Sequence, residues 1–209
     1  MNRNYQRPEE TLAEDSSESG LTTSEQIEKI AWHFGKIMTT LGLDLNDSSL
    51  RETPMRVAKM YVHEAFMGLN PLNDPKITLF ENQLRNDEIV LEKDIPFYSC
   101  CEHHFVPIVG KAHIAYIPKE QIIGLSKLNR ITHYFSKRPQ VQERLTSDIA
   151  NHLKEVMKIE DVAVIVEAEH LCVASRGINH TGCTTTTTSF HGVFREAGKR
   201  QELLSLIAM

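Results

Sequence analysis

The chain lacks the features that would place it outside the cell or within a membrane. Its 209 residues hold only four cysteines and one tryptophan, and no apolar run approaches the ~20 residues that a bilayer span requires. It also lacks a basic excess: 23 Lys and Arg face 28 Asp and Glu, for a formal net charge of -5. That balance excludes a general nucleic-acid binder, whose footprint is a basic face, while leaving room for a local cluster of cations around a small anion. No internal repeat is visible. The opening segment MNRNYQRPEETLAEDSSESG has no apolar core and is rich in Glu and Ser. It reads as a disordered acidic tail over residues 1–20 and not as a signal peptide. Few thiols and no secretory signal predict a reducing compartment, hence a cytoplasmic protein whose cysteines are free or bind metal, with no membrane partner.

What is present is an ordinary globular composition, 41% hydrophobic and 24% charged, in a chain long enough for one sizeable core with a helical appendage. In TTSEQIEKIAWHFGKIMTTLGL, the residues Ile27, Ile30, Ala31, Phe34, Ile37, Met38 and Leu41 fall on one helical face. Thr22 and Glu25 form a capping box, and Gly42 is a natural stop. ETPMRVAKMYVHEAF predicts a second helix with Thr53 as N-cap and Pro54 at its first position, ended by Gly68 and the Pro71 and Pro75 region.

From Ile89 the pattern turns to short β-branched and aromatic segments, EIVLEKDIPFYS, HFVPIVG and KAHIAYIP, with Gly110-Lys111 as the predicted hairpin turn. LSKLNRITHYFSKRP returns to helical spacing, with Ser126 as cap and Pro139 as breaker. A longer helix follows, marked by Val141, Leu145, Ile149, Leu153, Val156 and Met157. DVAVIVEAEHLCVAS and GCTTTTTSFHGVF read as two closing strands. The expected class is α+β with a mostly antiparallel sheet, divided into the tail, a helical region over residues 21–75 and a catalytic domain over residues 76–209.

The chemistry concentrates in SCCEHHFVP, residues 99–107, where two cysteines, a glutamate and two histidines are adjacent. A second pair sits far downstream: a strand period of two puts Val164, Val166, Ala168, His170 and Cys172 on one face. Alone, His170 and Cys172 are ordinary packed residues. Beside a Cys/His cluster they suggest zinc, which prefers thiolate and imidazole and in catalytic sites keeps one position open. Spacing leaves the ligand set undecided. An extended strand would pair Cys101 with His103, a tight turn would pair Cys101 with His104, and a closed structural site would use Cys101, His103, His104 and Cys172. Around these lie Ser126, Lys127 and Arg130 at a helix start suited to anions, Arg138, Glu143 and Arg144 in RPQVQER, and Arg176 in ASRG. Each alone is most often a solvated charge; together they border the cluster with a phosphate-binding patch and a carboxylate.

FYSCCEHHFVPIVGKAHIAYIP, IIGLSKLNRI, RPQVQERLT, EAEHLCVASRGI and TTTTSFHGVF, with ETPMRVAKMY upstream, closely resemble GTP cyclohydrolase I in order and spacing, over roughly residues 24–208. The resemblance implies a zinc enzyme that converts GTP to 7,8-dihydroneopterin triphosphate and formate, the entry to folate or tetrahydrobiopterin synthesis. It implies the tunnelling fold, an antiparallel sheet with helices on one face preceded by a helical pair. It further implies a homodecamer of two pentamers with shared active sites. By motif, the zinc ligands are Cys101, His104 and Cys172, and the acid-base histidines are His103 and His170. Glu143 matches the guanine-reading carboxylate, beside Gln142 on the substrate. Ser126, Lys127, Arg130 and Arg176 match the triphosphate contacts, and Arg56 an arginine that reaches a neighbouring subunit's site. The sequence departs from the pattern at Cys100, an extra thiol that invites oxidation, at Met55 where lysine is common, and in its long threonine run. The competing readings are a non-catalytic zinc-stabilised oligomer and a related tunnelling-fold enzyme acting on a pterin or deazaguanine.

Overall fold

The computed structural model describes residues 20–209, so the tail expected over residues 1–20 lies, but for Gly20, outside the described residues. Two compact units divide the chain, one ending at His63 and the other running Glu64–Met209. In the first, α1 (Thr23–Thr40) begins at the predicted capping box. The Glu25 N–H donates to the Thr22 hydroxyl at 3.3 Å, and the Thr22 N–H donates to the Glu25 carboxylate at 2.8 Å. Gly42 follows with φ of 83°, the left-handed geometry that closes helices. In α2 (Thr53–Met60) the cap sits one residue earlier than expected, at Glu52, whose side chain makes no cap bond. Thr53 is already helical, and Pro54 still falls in the first turn, where its missing N–H has no intrahelical partner to lose. A π-helical turn, Tyr61–Ala65, continues it.

The buried stripe of α1 is Ala31, Gly35 and Met38, whereas Ile37 and Leu41, expected on the same face, are exposed. Met38 lies between them at 3% exposure, so the C-terminal end of the helix is covered and the buried stripe is narrower than the run of apolar positions predicts.

The second unit runs β1 (Leu79–Glu81), β2 (Val90–Cys101), β3 (Pro107–Tyr116), β4 (Gln121–Ile123), α3 (Leu125–Ser136), β5 (Pro139–Gln140), α4 (Gln142–Met157), β6 (Val162–His170), α5 (Leu171–Ala174), β7 (Thr184–Phe190) and α6 (Ala197–Ala208). Its main sheet has the order β5-β2-β3-β6-β7, antiparallel except for the two-residue parallel pairing of β5 with β2, and β1 pairs separately with β4. The protein is therefore α+β with a mixed sheet. Alternation along β3 and β6 sends Ile108, Ile114, Val164 and Val166 to one face, where Leu128 and Ile131 of α3 and Leu145, Ile149 and Leu153 of α4 complete the core. Burying each of these side chains contributes about 1.5–3 kcal/mol.

Four expectations change. Gly110-Lys111 is not a turn: β3 runs straight through it, and Gly110 pairs with Phe97 on one side and Ala168 on the other. A Cβ at Gly110 would lie 2.3 Å from the Glu167 carbonyl oxygen and 2.6 Å from the Ala168 Cβ, so the glycine permits close strand approach and not chain reversal. The reversal lies at residues 102–106. Ser126 does not cap α3, because Gly124 holds that position and its carbonyl accepts from the Lys127 N–H at 2.7 Å. The strand carrying Val164 to His170 stops at His170, and Cys172 lies in a helical turn. Finally, the chain closes on α6 and not on a strand. Leu203 of α6 joins Phe194, Ala115 and Ala163 in a small cluster on the second face of the sheet. Leu203, Leu206 and Ile207, spaced i, i+3 and i+4, form the covered side of α6, while Leu204 is exposed. Among the described residues, no helix is long and apolar enough to cross a membrane.

Candidate active site and metal centre

β2 and β6 both pair with β3, and both end beside its first residues: Cys100 is opposite Pro107, and His170 is opposite Ile108. Side chains that follow the two strand ends therefore meet. After β2 the chain folds into a tight turn. The Phe105 N–H donates to the Cys101 carbonyl at 2.8 Å, and the Cys101 N–H donates to the Val106 carbonyl at 2.8 Å. Phe105 closes the turn with φ of 53°, a geometry that costs a non-glycine residue energy, and its ring packs edge-on against Phe66 at 5.3 Å. After β6 the chain makes one helical turn, closed by the Ser175 N–H on the Leu171 carbonyl at 2.8 Å.

The two turns bring together Cys101, His104 and Cys172, whose donor atoms all lie within 4.8 Å of one another. Cys101 is buried, Cys172 half-buried and His104 exposed, so the cluster opens to solvent on the histidine side. The Cys101 Sγ lies 4.0 Å from His104 Nδ1 and 3.8 Å from His103 Nδ1. Distance to Cys101 alone does not separate the histidines; the set that also reaches Cys172 contains His104 and not His103. Burial pushes the Cys172 thiol pKa up, and the neighbouring Cys101 adds to this, while Arg176 opposes it. Two adjacent thiols beside an imidazole are a donor set that suits a divalent cation.

Cys100 points the other way. It is buried and its thiol is pushed up to about 11, first by burial and then by Cys101. Burial and the raised pKa both favour the less reactive thiol form, against the expectation that Cys100 invites oxidation.

His170, the last residue of β6, is half-buried, and burial lowers its pKa against the opposing pull of Glu143. Its Nε2 lies 2.7 Å from the Gln142 Oε1. Gln142 opens α4 and is 2% exposed; its amide nitrogen donates to the Val166 carbonyl at 3.0 Å and the Thr185 carbonyl at 2.8 Å. Glu143, next on the helix, is exposed. The alternative partners for it are taken: Arg144 pairs with Glu102, and Arg138 stacks on Tyr134 and Phe135 at 4.5 and 4.7 Å. Among the described residues Glu143, Lys127, Arg130 and Arg176 stand in no ion pair.

Ser126, Lys127 and Arg130 lie in the first turns of α3, with Ser126 and Arg130 exposed and Lys127 half-buried, and among the described residues no hydrogen bond or ion pair joins them to the cysteine cluster. Arg56 is exposed on α2, in the first compact unit. One linkage escaped the sequence reading. Glu102 accepts from Arg144 and lies 3.8 Å from His103, while Arg144 also donates to Gln140 Oε1 at 3.1 Å. Only the charges of Glu102 and Arg144, 42 positions apart, could have hinted at it.

Known proteins resemble the chain over most of its length. The sequence model of the family described as GTP cyclohydrolase I matches residues 30–208. A GTP cyclohydrolase 1 of Flavobacterium johnsoniae is 48% identical over 198 residues, covering 95% of this chain and 88% of its own. The protein of that name from Tolumonas auensis is 53% identical over 188 residues, covering 90% and 87%. That from Pectobacterium carotovorum is 53% identical over 181 residues, covering 86% and 82%.

Proposed function

The chain belongs to the GTP cyclohydrolase I family, and on that premise we propose a zinc-dependent enzyme that hydrolyses GTP at guanine C8, releases formate and forms 7,8-dihydroneopterin triphosphate. The observation that carries the zinc reading is the convergence of Cys101, His104 and Cys172 within 4.8 Å. Corners of a tetrahedral zinc site with these ligands stand about 3.5–3.8 Å apart, so small side-chain adjustments close the set. Two thiolates and one imidazole suit zinc and leave a coordination position free. Bound there, zinc would supply Lewis acidity that makes water nucleophilic near neutral pH.

The remaining steps belong to the protein. His103, exposed next to Cys101, gives a proton to N7 as C8 is hydrated, a step that suits an imidazole. His170, whose pKa burial lowers, serves the later transfers in which the ring opens, formate leaves and the ribose carbons close onto the amino groups. Glu143 accepts from guanine N1–H and the exocyclic amine, a pair of donors that one carboxylate satisfies. Lys127, Arg130 and Arg176, with Ser126, hold the triphosphate; Arg56 is assigned to the substrate by its place in ETPMRVAKMY. The cations of α3 stand in no ion pair among the described residues, which fits a site completed by a second copy, in keeping with the tunnelling-fold decamer that the motifs imply. Gln142 is the exception among the expected substrate contacts, since its amide is engaged inside the protein. Four free thiols fit a reducing compartment, and the proposed location is the cytoplasm.

Purified protein mixed with GTP should release formate and yield a pterin that fluoresces after oxidation. Absence of formate would end the cyclohydrolase reading. Consumption of a nicotinamide reductant would indicate the deazaguanine relatives, and a full metal complement without turnover would indicate the structural site.

A further inference from the structure

We propose that Gln142 is a positioning residue: it fixes the proton of neutral His170 on Nε2 and leaves Nδ1 as the atom that exchanges protons with the substrate. The proposal rests on the cyclohydrolase reading for the identity of that substrate, and on hydrogen-bond complementarity for everything else. An amide side chain has two N–H donors on nitrogen and lone pairs only on oxygen. Both partners of the Gln142 nitrogen are backbone carbonyls, Val166 on β6 at 3.0 Å and Thr185 on β7 at 2.8 Å. Carbonyls only accept, so the amide cannot be flipped without setting oxygen against oxygen twice in a buried place. The orientation of Oε1 follows. It faces His170 Nε2 at 2.7 Å, and since an amide oxygen only accepts, Nε2 must carry the hydrogen.

His170 Nδ1 has no hydrogen-bond partner among the described residues. In the neutral ring this nitrogen therefore bears the free lone pair. It takes a proton and returns it from the same position, while Nε2–H stays on Gln142 throughout. The ring is also held in azimuth, because the glutamine is anchored to two strands of the sheet that carries the histidine. The same engagement removes both Gln142 donors from any role in reading the base, which leaves Glu143 alone on that edge.

The direct test uses the full chain labelled with ¹⁵N-histidine and examined by solid-state NMR, with His170 located by difference against His170→Asn. The wild-type signal should show a protonated Nε2 and a bare Nδ1; a protonated Nδ1 in the neutral ring would overturn the proposal. In kinetics, Gln142→Met should lower kcat about ten- to a hundredfold, the range typical of a lost outer-shell partner. KM for GTP should stay within about twofold, because no substrate contact is removed. In a His170→Asn background the same change should cost nothing more. A rise in KM with kcat intact would make Gln142 a substrate contact, and multiplying losses in the double variant would give it an independent role; either result overturns the proposal. Should Gln142→Met fail to fold, the nitrogen spectra of the wild type decide by themselves, and a protonated Nδ1 in the neutral ring counts against the idea. If the wild type releases no formate, the cyclohydrolase reading fails, while the nitrogen assignment is still decided by the spectra.

Discussion

The end of β2 and the end of β6 solve the same problem in different ways. Each strand stops beside the first residues of β3 and turns at once, and each strand end with its turn carries both cysteine and histidine. At the β2 end the cysteine is the last strand residue, buried, and both histidines follow on an exposed turn. At the β6 end the order is reversed: the histidine is the last strand residue, half-buried and tied to Gln142, and the cysteine follows in the turn. One end offers adaptable imidazoles to solvent and substrate, whereas the other holds one imidazole in a fixed pose. On the proposed reading this is a division of labour, with metal capture shared between the ends and the proposed proton-transfer residues, His103 and His170, given unlike freedom.

The strongest way to break the symmetry is to remove the ligand of the β6 turn. Cys172→Ser should lose metal and turnover together, with an affinity loss beyond the roughly 10–100-fold of an outer-shell change. Metal analysis showing a full zinc complement in this variant would refute the ligand set. The two histidines of the β2 turn sharpen the contrast. His104→Ser should behave like Cys172→Ser, but His103→Ser should keep its metal and lose about 10²–10⁴ in rate. If His103→Ser sheds metal as readily as Cys172→Ser, the roles of the adjacent histidines are exchanged.

A smaller effect is expected from Glu143, one residue beyond the Gln142 that steadies the β6 end. Hydrogen bonds to a charged group contribute about 1.5–3 kcal/mol, so ITP, which lacks the exocyclic amine, should fall behind GTP by roughly ten- to a hundredfold in kcat/KM. Glu143→Ala should largely erase that preference while metal stays bound. Comparing both nucleotides in both proteins checks it, and an unchanged ratio would assign base reading to another group.

The two strand ends also differ in how far the sequence announces them. SCCEHH is legible because metal-seeking residues are crowded, and a tight turn was one of the two geometries its spacing allowed. HLCV is legible only as a strand continuation, and that extrapolation fails: alternation cannot say where a ladder ends, and here it ends when the Leu171 carbonyl takes the Ser175 N–H instead of a strand partner. The capping box of α1 and the apolar periods of α3 and α4 are local signals, and the structure reproduces them. Gly110 was misread because a glycine that lets two strands approach looks, in sequence, like one that lets the chain turn. Gln142 was beyond reach, since its three partners come from β6 and β7 and depend on register that no single segment encodes.

Both ends depend on β3, so a change within β3 should disturb them equally. Gly110→Ala places a methyl group against the Glu167 carbonyl and the Ala168 Cβ, and overpacking of this kind costs about 1–3 kcal/mol. Thermal unfolding should shift down accordingly. A variant as stable as wild type would mean that β3 and β6 separate easily, and the shared register would then not be what holds the two turns together.

The mildest test also lies on β3, at His113. Its ring is 2% exposed, and its Nδ1 accepts from the Asp94 N–H at 3.3 Å, at the irregularity where the β2–β3 register shifts between Glu92 and Ile95. Asp94 there has φ of 58°, so the bond supports a conformation that a non-glycine residue avoids. Nε2 has no partner among the described residues. Burial lowers the His113 pKa below its ordinary 6.5; Asp94 and Glu167 oppose the shift, and Lys111 and Lys93 add to it. The sign follows directly. Below pH 6.5 the unfolded chain binds this proton and the folded one resists it, so stability declines as pH falls toward the lowered folded value and is unaffected well above it. Protonation at Nδ1 would also set N–H against N–H and release the Asp94 bond. His133, His170 and His191 are lowered by burial too and act in the same direction, so the wild-type slope alone does not identify His113. His113→Gln does: its Oε1 can accept from the Asp94 N–H but does not titrate. Unfolding midpoints followed from neutral pH to about pH 5 should fall less steeply in this variant. Equal slopes in the two proteins would show that the strand tolerates the charged ring, and would locate the acid sensitivity in the other three histidines.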